Sequence, residues 1–244
     1  MSAKLVILAG GKGVRISEGA NKKIPKPLSL IGDYPILLHL MFYYSNYGIN
    51  EFIICTGYKS ELIENFFKNN LSKNLKKKIK DWKINIINTG INTNTGGRIK
   101  KIENYLIKDD FFYLTYGDAL SDVNIKKLLE FHLHKKKDIT VTVVLKSERF
   151  GKVELKNNLI KKFDEKKNKL LINGGFMVVS TKIFKDLKKN TDIFEKKILE
   201  KYAKKNNLAG YVHKKFWQCV DNFRDWEFIN NLYVKKKIKN VFLK

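Results

Sequence analysis

The chain has 244 residues, a net charge of +25, 43% hydrophobic residues and 12% aromatics. That length and apolar content can bury a sizeable core and exclude a disordered chain, and no run approaches the roughly 18 apolar residues of a membrane helix. The positive charge comes mainly from Lys, as in Leu75-Lys76-Lys77-Lys78 and Val234-Lys235-Lys236-Lys237, amid abundant Asn and Ile. Such a bias reads first as a solvated basic surface and second as a surface that attracts anions. The Lys clusters lack interleaved aromatic stacking platforms, which argues against a specific nucleic-acid module.

Lys4 to Ala9 is a short apolar strand. Gly10 and Gly11 follow at once, so the run is too short for a secretion signal and the cytoplasm is the expected location. Ile36 to Tyr47 has helical spacing and is closed by Gly48. Glu51 to Cys55 is a second strand, with Cys55 expected as a buried small hydrophobe. Lys59 to Lys68 is a helix with Leu62, Ile63, Phe66 and Phe67 on one face. Ile84 to Asn88 is a third strand, Thr89 to Gly97 a loop, and Arg98 to Leu106 a helix. Phe111 to Tyr116 is a buried strand ending in Gly117-Asp118. Val123 to His134 is a helix, and Ile139 to Leu145 alternates like a strand. Beyond Phe150 come strands at Lys152 to Leu155 and Phe176 to Ser180, then a helix from Phe228 to Val234. With no repeat and no clean linker, residues 1–244 form one domain. Alternation of strands and helices implies an α/β, doubly wound, mostly parallel sheet. Its ligand site belongs at the carboxyl ends of the strands.

Four segments can carry chemistry. Leu8-Ala9-Gly10-Gly11-Lys12-Gly13-Val14-Arg15, followed by Lys26-Pro27, joins backbone that can approach a ligand to cations that can neutralise phosphate. It lacks the Lys-Ser/Thr pair of a P-loop, and a Gly turn with surface cations remains the alternative. Tyr116-Gly117-Asp118 sets a carboxylate at the mouth of a buried strand, fit for Mg²⁺; Asp122, just ahead of a helix, suits a cap better. Phe216-Trp217-Gln218-Cys219-Val220-Asp221 offers a second carboxylate. Asn173-Gly174-Gly175-Phe176, preceded by Glu165-Lys166, offers polar groups for sugar hydroxyls and a phosphate, or else a β-bulge. His39, His132, His134 and His213 have no metal-ligand spacing. Cys55 and Cys219 are too few and too far apart for a disulfide framework.

In this order the segments resemble the sugar-1-phosphate nucleotidyltransferases and, within them, the glucose-1-phosphate cytidylyltransferases. Leu8-Ala9-Gly10-Gly11 with Arg15 and Lys26-Pro27 resembles the broad signature. The narrower likeness rests on Asn88-Thr89-Gly90, Thr93-Asn94-Thr95-Gly96-Gly97-Arg98, Thr115-Tyr116-Gly117-Asp118 through Val123, Arg149-Phe150-Gly151, Ile172 to Phe176, and Phe216-Trp217-Gln218 through Asp221. The resemblance spans nearly the whole chain.

It implies a Rossmann-like fold with a small added β region toward the C-terminus. It implies CTP and a sugar 1-phosphate as substrates, Mg²⁺ as metal, catalytic roles for Arg15 and Lys26, and a CDP-sugar and pyrophosphate as products. Leu8, Ala9, Gly10, Gly11, Gly13, Thr93, Arg98 and Gly117 would hold the nucleotide. Glu165, Lys166, Asn173 and Gly174 would face the sugar phosphate, and Asp118 and Asp221 the metal. Residues 150–222 would thus form the sugar-phosphate side and supply the second metal ligand. A homo-oligomer stays open. The chain departs from the family pattern at Val14 for the usual Thr, Lys167 for the usual Pro, and Ala119-Leu120 for Gly-Val; another nucleotide or sugar remains the nearest alternative.

Overall fold

The computed structural model describes residues 3–11, 24–147, 152–164, 169–237 and 241. Strand β1 (Lys4–Leu8) is followed, past residue 24, by a short hairpin of β2 (Leu30–Ile31) and β3 (Tyr34–Pro35) that leads into α1 (Ile36–Ser45). Then come β4 (Glu51–Thr56), α2 (Ser60–Asn69), α3 (Lys73–Lys78) and β5 (Lys83–Asn88). Next are α4 (Thr95–Lys101), β6 (Phe111–Tyr116), β7 (Ala119–Ser121), α5 (Ile125–Lys135) and β8 (Ile139–Ser147). A hairpin of β9 (Lys152–Lys156) and β10 (Leu159–Asp164) precedes the long strand β11 (Lys169–Ser180). The chain closes with α6 (Glu200–Lys204), β12 (Leu208–His213), β13 (Trp217–Cys219) and α7 (Phe223–Val234).

Seven strands form the central sheet in the order β12-β8-β11-β6-β1-β4-β5. β1, β4, β5 and β6 pair in parallel, as helical crossovers require. β11 is antiparallel to both β6 and β8, so β8 again runs the same way as β6. The carboxyl ends of β1, β4, β5, β6 and β8 therefore open at one edge of the sheet.

Side chains alternate across the sheet and both faces are covered. Leu5, Ile7, Phe52, Ile54, Tyr113, Phe176 and Val178 pack on one side, under Leu37 and Leu40 of α1, Leu128 of α5 and Ile229 of α7. Val6, Ile53, Cys55, Phe112, Leu114, Met177 and Val179 pack on the other, against Ile99, Ile102, Ile183, Phe194, Ile198 and Tyr202. Each large side chain so withdrawn from water contributes about 1.5–3 kcal/mol. Cys55 is fully buried, as its apolar run implied, and burial pushes its thiol up to about 12. Among the described residues no helix is long and apolar enough to cross a membrane.

Some elements differ from the sequence expectation. The fourth helix starts at Thr95, ahead of Arg98, because Gly96 and Gly97 lie inside it. A Cβ on Gly97 would fall 2.3 Å from Asn190 O, so the helix can pack this closely only without a side chain there. The expected strand at Phe176 is the end of the twelve-residue β11. Asp122 does not cap α5: Asn124 does, accepting from Lys127 N at 2.9 Å, while Asp122 faces His213 Nε2 at 2.9 Å. The last helix begins five residues early, at Phe223, where Asn222 caps it.

The core makes a direct test. Phe176 is fully buried and stacks on Tyr44 with centroids 6.2 Å apart. Phe176→Ala is expected to cost about 3–5 kcal/mol of unfolding free energy by urea titration. Leu159→Ala, at a residue 62% exposed, is expected to change it by no more than about 0.5 kcal/mol.

Candidate active site

Three strand ends are laced together at the carboxyl edge. After β1, Ala9 N donates to Cys55 O at 2.9 Å, and Tyr58 N donates to Gly10 O at 3.3 Å. After β6, Gly117 N donates to Leu8 O at 3.2 Å. Beneath this lacing lies Arg98, only 5% exposed. Its Nη1 donates to Thr56 O (2.8 Å) and Thr89 Oγ1 (2.5 Å), and its Nη2 to Gly10 O (2.8 Å). Thr89 Oγ1 donates in turn to Thr56 O at 2.6 Å. A Cβ on Gly10 would sit 2.1 Å from Arg98 Nη1, so the loop can rest on the guanidinium only with glycine there. Three of the five guanidinium N–H groups are thus committed to the ends of β1, β4 and β5. Thr93 is buried as well: its Oγ1 donates to Thr89 O at 2.6 Å. Both side chains thus bond the backbone of the segments at this edge of the sheet.

Lys26 stands between two carboxylates. It opens a 3₁₀ turn, Lys26–Leu28, directly after Pro25. Its Nζ lies 2.8 Å from Asp118 Oδ2 and 2.7 Å from Asp221 Oδ1. Asp118 follows β6. Asp221 follows β13, whose antiparallel pairing with β7 sets Cys219 opposite Ala119. Val220 N donates to Asp118 O at 2.8 Å, which fixes the two acidic residues side by side. Burial would pull the Lys26 ammonium down, but Asp118 and then Asp221 raise it above the ordinary lysine value. Burial would raise the Asp221 carboxyl, yet hydrogen bonding and charge from Lys26, with Cys219 and Lys146 adding to them, hold it below the ordinary value. The lysine is held charged, and so is Asp221 beside it.

A cavity of about 190 Å³ opens beside this group, lined by Leu8, Ala9, Gly11, Lys26, Pro27, Gly117 and Asp118. It joins the glycine loop, the cation and one carboxylate in one cleft. On its far flank, the register of β11 against β8 shifts between Asn173 and Met177, so Gly174 and Gly175 lie in a bulge. Asn173 Oδ1 accepts from Gly175 N at 2.8 Å, and Asn173 Nδ2 reaches Tyr116 Oη at 3.4 Å. Tyr116 Oη donates to Glu195 Oε1 at 2.5 Å. Gly174 O accepts from Trp217 Nε1 at 2.7 Å. Leu8, Ala9, Gly10, Gly11, Lys26, Gly117, Asp118, Asn173, Gly174 and Asp221 thus share one edge of the sheet. Gly13, Arg15, Glu165 and Lys166 lie outside the described residues.

Sequence reasoning missed Thr56, Gly57, Tyr116 as a ring over the bulge, Glu195 and Lys146. Thr56-Gly57 directly follows a strand, and that was a legible signal for a third loop at the site. Glu195 has no local pattern to betray it.

The description "Nucleotidyl transferase" belongs to the family model that matches residues 4–236. The chain is 40% identical over 245 residues to a Bacillus subtilis (strain 168) protein named "Probable glucose-1-phosphate cytidylyltransferase", covering 94% of this chain and 96% of that one. It is 35% identical over 250 residues to a "Glucose-1-phosphate cytidylyltransferase" of Salmonella typhimurium, covering 96% and 97%. Among solved structures, HddC from Yersinia pseudotuberculosis complexed with GMP-PN superposes with a TM-score of 0.73 at 25% identity, over 95% of this chain and 99% of that one.

Two neighbouring glycines separate packing from access. Gly10→Ala drives a methyl into Arg98 and is expected to cost about 1–3 kcal/mol of stability by chemical denaturation. A Cβ on Gly11 meets nothing within 4 Å, and Gly11 lines the cavity. Gly11→Ala is therefore expected to keep the unfolding midpoint and to weaken nucleotide binding in a calorimetric titration.

Proposed function

The chain belongs to the nucleotidyl transferase family, and from that premise we propose that it is a sugar-1-phosphate nucleotidyltransferase joining CMP from CTP to glucose 1-phosphate. The observation that carries the reading is the Lys26 ammonium held between Asp118 and Asp221 beside the Gly10-Gly11 loop. The cytidylyltransferase names of the two relatives support the choice of nucleotide and sugar.

In the reaction, an oxygen of the sugar phosphate attacks the α-phosphorus of CTP. A new P–O bond forms, the bond from the α-phosphorus to the bridging oxygen breaks, and its electron pair leaves with pyrophosphate. The attacking oxygen is already anionic at neutral pH, so no general base is needed. The protein's task is orientation and charge neutralisation. Lys26, freed from its carboxylates as substrate charge enters, meets the developing negative charge at the α-phosphate. Arg15 has the matching role on the departing phosphates. The Gly10 and Gly11 backbone lies against the nucleotide. Arg98 fixes that backbone from beneath. Asn173 and Gly174, with Glu165 and Lys166, receive the sugar phosphate.

The family's chemistry also calls for a divalent cation. The protein's donors suit Mg²⁺: two carboxylates share one counter-ion, and Mg²⁺ commonly takes one or two carboxylates plus substrate phosphate oxygens. Among the described residues no group of three or more His, Cys, Asp or Glu is assembled, so Asp118 and Asp221 are the residues that would hold it. When bound, the ion supplies neutralisation of phosphate charge.

Pyrophosphate release, measured with Mg²⁺ and glucose 1-phosphate across CTP, dTTP, UTP, GTP and ATP, tests the reading. Release with CTP alone is the expected result; release with another nucleotide would overturn the base assignment. Lys26→Ala is expected to lower kcat about 10²–10³-fold, on the scale of losing one preorganised charge donor, with an unchanged circular dichroism spectrum. Activity equal to wild type would remove Lys26 from the mechanism.

A further inference from the structure

Lys146 is the penultimate residue of β8, at the same edge of the sheet as Asp118. Its Nζ sits 3.5 Å from Cys219 Sγ and 5.5 Å from the centroid of the Trp217 ring. Among the described residues it forms no ion pair, and its one hydrogen bond is to sulfur, a weak acceptor. That leaves the ammonium with donor capacity that a ligand can take up. The Trp217 face holds it in place through a cation–π contact.

What surrounds it is specific. Cys219 Sγ donates to Asp221 Oδ2 at 3.2 Å, whereas Lys26 holds the other oxygen, Oδ1. Lys146 is therefore reached from Asp221 by the oxygen that Lys26 does not use. Trp217, the ring beneath it, donates to Gly174 O in the β11 bulge. The ammonium thus stands between the second carboxylate and the Asn173–Gly174 flank, and it is not part of the cavity lining around Lys26 and Gly11.

The geometry points to Lys146 as a further phosphate-binding cation, one that helps hold the phosphate of the sugar 1-phosphate while Lys26 serves the nucleotide. This rests on the reaction proposed above. The attacking phosphate carries negative charge toward two carboxylates and a triphosphate, so a cation on its own side of Asp221 both draws it in and orients it. Lys146 is fixed by a strand on one side and an aromatic face on the other, which suits a positioned group rather than a roaming surface charge.

Wild type, Lys146→Gln and Lys146→Arg would be titrated with glucose 1-phosphate and a panel of other sugar 1-phosphates, followed by tryptophan fluorescence. KM values for both substrates would be measured in parallel. The Gln variant is expected to weaken sugar-phosphate binding and raise its KM about tenfold while the nucleotide KM stays within about twofold, and the Arg variant to recover most of the loss. A Gln variant with wild-type affinity, or one that raises both KM values alike, overturns the assignment. So does an Arg variant that restores nothing. Because the titration needs no turnover, a wild type that binds the sugar phosphate but releases no pyrophosphate would sink the reaction and still decide Lys146. A wild type that binds no sugar 1-phosphate would sink both.

Discussion

Two carboxylates from positions 118 and 221 face one ammonium, and the site depends on that arrangement. Without a cation between them their negative charges would repel. Lys26 prevents this. The arrangement is nevertheless no great source of stability. Asp118 is 30% exposed and Asp221 41% exposed, and pairs open to water contribute about 0–1 kcal/mol. A group that stabilises the fold so little, yet is anchored so well, is a group held for use. A half-open ion triad can also be exchanged. Phosphate and a divalent cation can replace its internal partners without first breaking a deeply buried bridge, which would cost several times more.

The scaffold supplies this geometry through short, local pairings. β7 and β13 have three residues each, but they bind the segment ending in Asp221 to the segment beginning at Asp118. β11 enters the sheet antiparallel, and its bulge turns Asn173 and Gly174 toward the same edge. Arg98 then joins the ends of β1, β4 and β5 from below. Rigid strands thereby carry a site made of loops, a division of labour that lets loops meet a ligand while the core stays packed.

Much of this was legible in the residues. The alternating fold, the edge at which the site lies, and the placing there of Gly10, Gly11, Gly117 and Asp118 followed from strand-ending glycines and a carboxylate; Lys26 and Asp221 joined them through the family resemblance. Boundaries were less legible. The start of α4 was obscured by Gly96 and Gly97, which normally discourage a helix but here allow contact with the segment at Asn190. Asp122 looked like a cap because cap preference is local, whereas its bond to His213 is made across the fold. The family resemblance gave Arg98 to the nucleotide, and no sequence pattern shows that its guanidinium is buried under a glycine. Lys146 was hidden for a different reason: among 49 Lys and Arg residues, nothing in the sequence marks the one that sits on Trp217.

That last point bears on the +25 charge. Exposed lysines act on a substrate through a field screened over roughly 8 Å at physiological salt. They can raise the encounter rate of an anion but cannot choose where it stops. Choice requires cations with fixed positions and little competing solvent. Among the described residues, three such cations flank the strand ends: Arg98, locked by three hydrogen bonds beneath the glycine loop; Lys26, locked by two carboxylates in the cleft; and Lys146, seated on Trp217 at the far flank. Their commitments to protein acceptors fall in that order, from hydrogen bonds to three oxygens, through two carboxylate contacts, to one hydrogen bond to sulfur. The first holds the architecture; in the proposed reaction the second exchanges partners when substrate charge arrives, and the third takes up the sugar phosphate. A basic surface can gather phosphates from any direction, but in the proposed reaction this graded set would give the nucleotide and the sugar phosphate different places to bind.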